Sequence, residues 1–271
     1  MRIAIAIDDS RRLQGYRQPS RSLKLMPRLL ILGGTTEATR LAAALQNWSQ
    51  LEVQTSLAGR TQQPVLPAGS VRVGGFGGVA GLVDYLKTEG IDLLIDATHP
   101  FAAQISQNAA EAAHIAGLPI LSLQRPAWTP QAGDRWISVP DLATAAKQLA
   151  DLGDRIFLTI GRQELAAFAH LRDRWFLMRM IDPPAEDAPL PLGEILLERG
   201  PFSVEHERSL LIRFQIDAIV SKNSGGTAIA AKLKAARELG LPIVMIERPP
   251  QPQVEQVTTL AAALQWLKLH C

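Results

Sequence analysis

The sequence of 271 residues has a single cysteine, Cys271, at its extreme C-terminus. An internal disulfide is therefore excluded, which fits a reducing, cytoplasmic setting. Neither sign of charge prevails: 28 Lys and Arg stand against 26 Asp and Glu, for a net charge of +2. No global field is present to gather nucleic acid or an anionic membrane. No apolar run reaches the ~18 residues of a membrane-spanning helix. Several chemical signatures are missing as well. There is no GxSxG elbow and no P-loop. Glu205-His206-Glu207 lacks the second histidine of a zincin, and no other spacing points to a metal ion. What remains is a chain that is 47% hydrophobic and 20% charged. That is ample for a sizeable core and too apolar for a disordered protein. Its length accommodates two domains of ordinary size.

Residues 1–25 open on the apolar run MRIAIAI and pass into a polar, arginine-dotted stretch. They read as an N-terminal extension, with Met26 as a candidate start immediately before a strong strand. From there apolar runs at 28–32, 51–56, 71–73, 91–96 and 119–123 alternate with helical stretches at 36–48, 79–88 and 101–116. The last helix is closed by Gly117, suited to a left-handed terminal residue. The strand cores are apolar throughout rather than alternating, as in strands buried on both faces. The segment PAWTPQAGD (126–134) breaks the periodicity and marks a linker. A second series follows, with strands at 135–139, 155–160, 174–180, 194–198, 217–221 and 242–246. Its helices begin at Asp141, a predicted N-cap, and lie at 204–215, 226–239 and 258–269. The expected fold is α/β: two Rossmann-like domains with mainly parallel sheets and helices on both faces. The expected domains are 26–128, which binds a nucleotide, and 129–271.

The chemistry gathers at predicted strand ends. In LLILGGTTEATRLA (29–42) a strand runs directly into Gly33, Gly34, Thr35 and Thr36 and then a helix. Glycines there admit a ligand to the backbone, and the helix N-terminus favours an anion such as a diphosphate. An NAD site usually carries an acid at the end of the second strand. This sequence has none, offering Ser56 and Arg60 instead. A guanidinium there suits the 2′-phosphate of NADPH, with NADH the alternative and a solvated arginine the plainer reading. Gly74–Gly78 surround Phe76 with glycines, so Gly75 and Phe76 are expected to lie against the cofactor unless the loop is a hinge. Asp96, Thr98 and His99 occupy another strand-to-helix turn. They are candidate catalytic groups if they do more than cap the helix. In the second half Arg162, Arg199, Lys222, Asn223, Ser224, Gly225 and Arg248 all follow predicted strands. Parallel topology would bring them to one edge, as a pocket for a ligand with several carboxylates or phosphates.

The motifs LGGTTEA, SLAGRT, GGFGG, DATHPFA, RPAW, GR, RGPF, KNSGG and ERP occur in this order over residues 28–250. In this the chain resembles the precorrin-6A reductase and cobalt-precorrin-6A reductase family of cobalamin biosynthesis. The resemblance implies hydride transfer from a reduced nicotinamide to C19 of the macrocycle and a proton at C18, giving precorrin-6B. It implies neither metal nor flavin, and a cleft between the domains that holds cofactor and tetrapyrrole. Asp96, Thr98 and His99 then border the nicotinamide and macrocycle, and the second-half cations bind substrate carboxylates. The tetrapyrrole is the expected partner, without nucleic acid or membrane, and the protein is a monomer or homodimer. The competing readings are a cobalt-precorrin-6A reductase using NADH or NADPH, and a non-catalytic dinucleotide-binding sensor. A two-domain tetrapyrrole synthase without a redox cofactor is a third, against which the GGTTEA turn counts.

Overall fold

The computed structural model describes residues 26–59, 61 and 65–271. The N-terminal extension and Arg60 lie outside the described residues. Strand β1 (Arg28–Leu32) buries its last four side chains. It lies between β2 (Glu52–Leu57) and β4 (Leu93–Asp96), in parallel register with both. Beyond these stand β3 (Ser70–Val73), β5 (Ile120–Leu123) and β12 (Glu255–Val257), giving the order β12-β5-β4-β1-β2-β3. Helix α1 (Thr36–Leu45) covers one face with Leu41, Ala42 and Leu45. Trp266 and Leu267 of α7 (Leu260–His270) pack on the same face. On the other face α2 (Gly78–Thr88) contributes Leu82 and Leu86, and α3 (Ala103–Ala116) its row of small residues Ala109, Ala112 and Ala113. As expected, α3 ends at Gly117, with φ 68°.

The second sheet repeats this plan. It contains β6 (Arg135–Val139), β7 (Arg155–Thr159), β8 (Trp175–Met180), β9 (Gly193–Leu197), β10 (Ala218–Lys222) and β11 (Pro242–Ile246). Their order is β6-β11-β10-β7-β8-β9, and every pairing is parallel. Helix α4 (Leu142–Gln148), capped by Asp141, and a 3-10 segment (Arg162–Phe168) pack on one face. Helices α5 (Val204–Arg213) and α6 (Ala231–Leu239) pack on the other. The uniformly apolar strands thus belong to two parallel sheets, each covered on both faces.

The two units exchange their edge strands. Within each sheet the first five strands come from one continuous stretch, β1–β5 or β7–β11. The sixth is contributed from elsewhere: β6, which directly follows β5, joins the second sheet, and β12, which follows β11, joins the first. The expectation that 129–271 forms one unit is corrected at this point, because residues 255–270 return to the first. The reason is packing: Trp266 and Leu267 complete the apolar cluster around Leu41 and Leu45.

Candidate functional site

At the carboxyl edge of the first sheet, β1 and β4 are neighbours whose following helices cover opposite faces, the switch point of such a fold. The Gly33 N–H donates to Ser56 O at 2.9 Å, and a Cβ on Gly33 would stand 2.8 Å from Thr55 Cγ2. Gly34 has φ 104° and faces open space. Thr35 caps α1, its hydroxyl accepting from Ala38 N at 3.2 Å and donating to Ala97 O at 2.7 Å. One hydroxyl thereby joins the turns after β1 and β4. Thr36 opens the helix and is exposed.

The glycine loop after β3 is organised by a residue that the sequence reading passed over. Arg72 donates to Ser56 Oγ at 2.9 Å, to Gly74 O at 2.9 Å and to Gly75 O at 3.0 Å. Its guanidinium lies 3.9 Å from the Phe76 ring centroid. Phe76 also meets Tyr85 edge-on and packs into the apolar cluster beneath α2. Its ring is therefore engaged within the protein, and the exposed surface of the loop is glycine backbone. No atom lies within 4 Å of a Cβ built at Gly34, Gly75, Gly77 or Gly78, and α2 has no side-chain cap. Open glycines between two helix N-termini form a cradle of the kind a dinucleotide diphosphate fits.

The turn after β4 separates its three candidates. Asp96 is 2% exposed, and its Oδ1 accepts from Thr98 N at 3.0 Å and Thr98 Oγ1 at 2.7 Å. These two residues build the turn and do not line the cavity beside it. His99 does line it. Its Nδ1 accepts from Phe101 N at 3.2 Å, which leaves the proton on Nε2. Burial, and after it the charges of Arg125, Lys222, Arg248 and Lys232, push its pKa down to about 3. His99 is thus a neutral hydrogen-bond donor at ordinary pH, unable to serve as an acid there.

That cavity, about 440 Å³, lies between the units. His99, Phe101 and Ala102 come from the first, and Arg162, Arg179, Lys222, Ser224 and Lys232 from the second. Lys222 Nζ pairs with Glu164 Oε1 at 2.5 Å, and Arg162 donates to Pro183 O at 2.8 Å. Arg199, Asn223, Gly225 and Arg248 are not among the lining residues. Arg248 spends its guanidinium on the carbonyls of Asn223 (2.9 Å), Arg125 (3.0 Å) and Ser224 (3.0 Å). Asn223 takes the Trp128 N–H on its Oδ1 at 2.8 Å and returns its Nδ2 to Trp128 O at 3.0 Å. Gly225 has φ 70°, and a Cβ there would fall 2.0 Å from Pro126 O. These residues lock the loop after β10 to the segment after β5. Arg125 extends the lock to the first unit, donating to Ser224 O at 2.8 Å and pairing with Glu37 at 2.7 Å.

Arg179 and Lys232 were also missed by the sequence reading. Arg179 sits inside β8, and Lys232 reads as one more polar position on an amphipathic helix. Arg179 is 7% exposed and Lys232 1%. Arg179 stands 2.8 Å from Glu207, which is fully buried, an ion pair without hydrogen-bond alignment. Among the described residues, no cluster of three or more His, Cys, Asp or Glu is placed to hold a metal, and no helix is long and apolar enough to cross a membrane.

Residues 28–268 match the family model described as precorrin-6x reductase CbiJ/CobK. A precorrin-6A reductase of Rhodococcus erythropolis is 53% identical over 243 residues, 89% of this chain and 98% of the relative. A cobalt-precorrin-6A reductase of Priestia megaterium is 29% identical over 82% of this chain and 90% of the relative. The solved structure titled CobK precorrin-6A reductase superposes with a TM-score of 0.85 at 48% identity, covering 90% of this chain and 97% of that one. With two parallel six-stranded sheets, a glycine cradle, and a cavity between the units lined by both basic and acidic side chains, the chain belongs to the precorrin-6x reductase family, oxidoreductases of cobalamin biosynthesis.

Proposed function

We propose that the chain reduces precorrin-6A to precorrin-6B with NADPH, the dinucleotide lying on the first unit and the macrocycle in the cavity between the units. The observation that carries this reading is the cavity itself: one histidine from the first unit faces Arg162, Arg179, Lys222 and Lys232 from the second. A macrocycle bearing several carboxylates suits a wall with several cationic side chains. When bound, the reduced nicotinamide supplies a hydride to C19, and a proton enters at C18, as the family resemblance implies.

The residues of the chain bind and orient. Gly33, Gly34, Thr35 and Thr36 receive the diphosphate on backbone N–H groups at the start of α1. Gly75 flanks it across the cradle. Ser56 and Arg72 are assigned to the adenosine ribose, the end of the cofactor to which the sequence reading also assigned Arg60, a residue outside the described ones. The absence of an acid at the end of β2 supports NADPH over NADH. Asp96 and Thr98 hold the turn that aims His99, whose Nε2–H donates to the ligand. Arg162, Lys222 and Ser224 meet substrate carboxylates, and Asn223, Gly225 and Arg248 keep that wall in shape. Arg199, which follows β9, is not among the residues lining the cavity and is assigned no substrate contact. Precorrin-6A is favoured over its cobalt form by the closer identity to the metal-free reductase, 53% against 29%. One chain carries both halves of the site, so a cytoplasmic monomer suffices.

The test is turnover by the purified protein with NADPH or NADH, each supplied with precorrin-6A or cobalt-precorrin-6A. The reading predicts nicotinamide oxidation with precorrin-6A and a preference for NADPH. Binding of NADPH without turnover of either macrocycle would leave a dinucleotide-binding sensor as the better description.

A further inference from the structure

We infer that Lys232 is the catalytic acid of this site, its ammonium standing in the second unit's cavity wall and delivering the proton that the macrocycle takes up at C18. The inference rests on the reductase reading above. Lys232 lines the cavity although it is 1% exposed. The other cations of that wall have partners: Arg179 has Glu207, Lys222 has Glu164, and Arg162 has Pro183 O. Among the described residues, Lys232 has no hydrogen bond and no ion pair, and its ammonium lies 5.5 Å from the Trp128 ring centroid. An unpaired buried ammonium is costly to keep unless a ligand uses it.

The surroundings favour proton release over anchoring. From β8, Arg179 repels the charge of Lys232; from α5, Glu207 attracts it more weakly and lies 2.8 Å from Arg179. Glu198, after β9, is held by His206 at 3.2 Å. Lys222, at the end of β10, and His99, after β4, line the same cavity. Burial and then Arg179 push the Lys232 ammonium down to about 7. A group of that strength gives up a proton near neutral pH, as a general acid must. The alternatives in the wall are poorer. His99 is neutral, Lys222 is held by Glu164 at 2.5 Å, and guanidinium is in general too weak an acid for the task.

The step balances. The macrocycle gains a hydride at C19 from the C4–H bond of the reduced nicotinamide, which is thereby oxidised. The electron pair displaced within the conjugated ring forms a C–H bond at C18 as the Lys232 N–H bond breaks. Lys232 is left as a neutral amine and recovers its proton from water.

Lys232→Met keeps the length and apolar packing of the stem. Its kcat with NADPH and precorrin-6A should fall about 100-fold or more, the range of lost general acid catalysis. Its Kd for precorrin-6A alone, read by absorbance titration without cofactor, should change by less than about threefold. The kcat of the unaltered protein should fall above neutral pH, and that fall should vanish in the variant. Lys232→Arg, which keeps the charge but holds its proton, should be as slow, with thermal unfolding showing that both variants fold. An unimpaired kcat in either folded variant overturns the assignment. So does a Met variant that binds precorrin-6A weakly yet keeps its kcat, which would make Lys232 a carboxylate anchor. If the unaltered protein fails to turn over precorrin-6A, the reductase reading falls and the assignment with it. If it turns over and the variants match it, only the assignment falls.

Discussion

Asn223 and Trp128 hold each other by both ends of one side-chain amide, Oδ1 accepting at 2.8 Å and Nδ2 donating at 3.0 Å. The pair mimics a rung of backbone pairing between the segment after β5 and the loop after β10. Asn223→Ala leaves the Trp128 backbone N–H and C=O without partners. It should cost about 1–3 kcal/mol of stability, measured by denaturant unfolding. If Asn223 served only to bind substrate, stability would be unchanged and KM alone would rise.

Gly225 adds a steric condition to the same lock. At φ 70° and with a Cβ that would lie 2.0 Å from Pro126 O, Gly225→Ala combines backbone strain with a clash against main chain. A loss of about 2 kcal/mol or more is expected, with a drop in kcat as the wall carrying Lys222 and Ser224 shifts. Thermal unfolding and steady-state kinetics check the two parts separately.

These two residues also mark what was legible in the sequence. The apolar strands, the helices between them and the strand-end position of KNSGG followed from periodicity. Asn223, Gly225 and Arg248, read in the sequence as substrate contacts, have as partners in the structure the backbone of residues 125–128 and 223–224. A sequence shows which residues lie at a strand end, but not which of them spend their donors on neighbouring main chain. Strand β12 was missed for a related reason. Its Glu255 and Gln256 are exposed on a three-residue edge strand and carry no apolar signal, and pairing with β5, not composition, makes it a strand. Lys232 resembled any polar helical position until α5 and β8 closed over it.

Arg72 offers a test of cofactor choice. Its donors reach Ser56 Oγ and the Gly74 and Gly75 carbonyls, beside the end of β2 where an NAD site would carry an acid. Arg72→Met should weaken NADPH binding by about 10-fold to 100-fold, the worth of one or two charged hydrogen bonds. NADH binding should change far less. Equal loss for both cofactors would show Arg72 to be only a prop for the glycine loop.

Stability should depend on pH through His99. Its folded pKa of about 3 lies below the unfolded 6.5, so in that window the unfolded chain binds the extra proton. The contribution of His99 is therefore complete above about pH 6.5 and is lost progressively towards pH 3. His99→Asn, which cannot titrate, should flatten this part of the curve of unfolding free energy against pH.

Lys232 follows the same linkage in a higher pH window. Its folded pKa of about 7 lies below the unfolded 10.5, so its burial is destabilising at neutral pH and the penalty is relieved as pH rises from 7 towards 10.5. Lys232→Met should raise stability at pH 7 by about 1–4 kcal/mol, as replacing buried charge by apolar volume often does. A more stable but slower protein is the signature of a residue kept for function.

The most direct measurement is the mass of the macrocycle after one turnover of precorrin-6A with NADPH carrying deuterium at both C4 positions, in ordinary water. The account predicts a product that has gained one deuterium and one protium. A product without deuterium, or a macrocycle returned unchanged while NADPH stays bound, would contradict it.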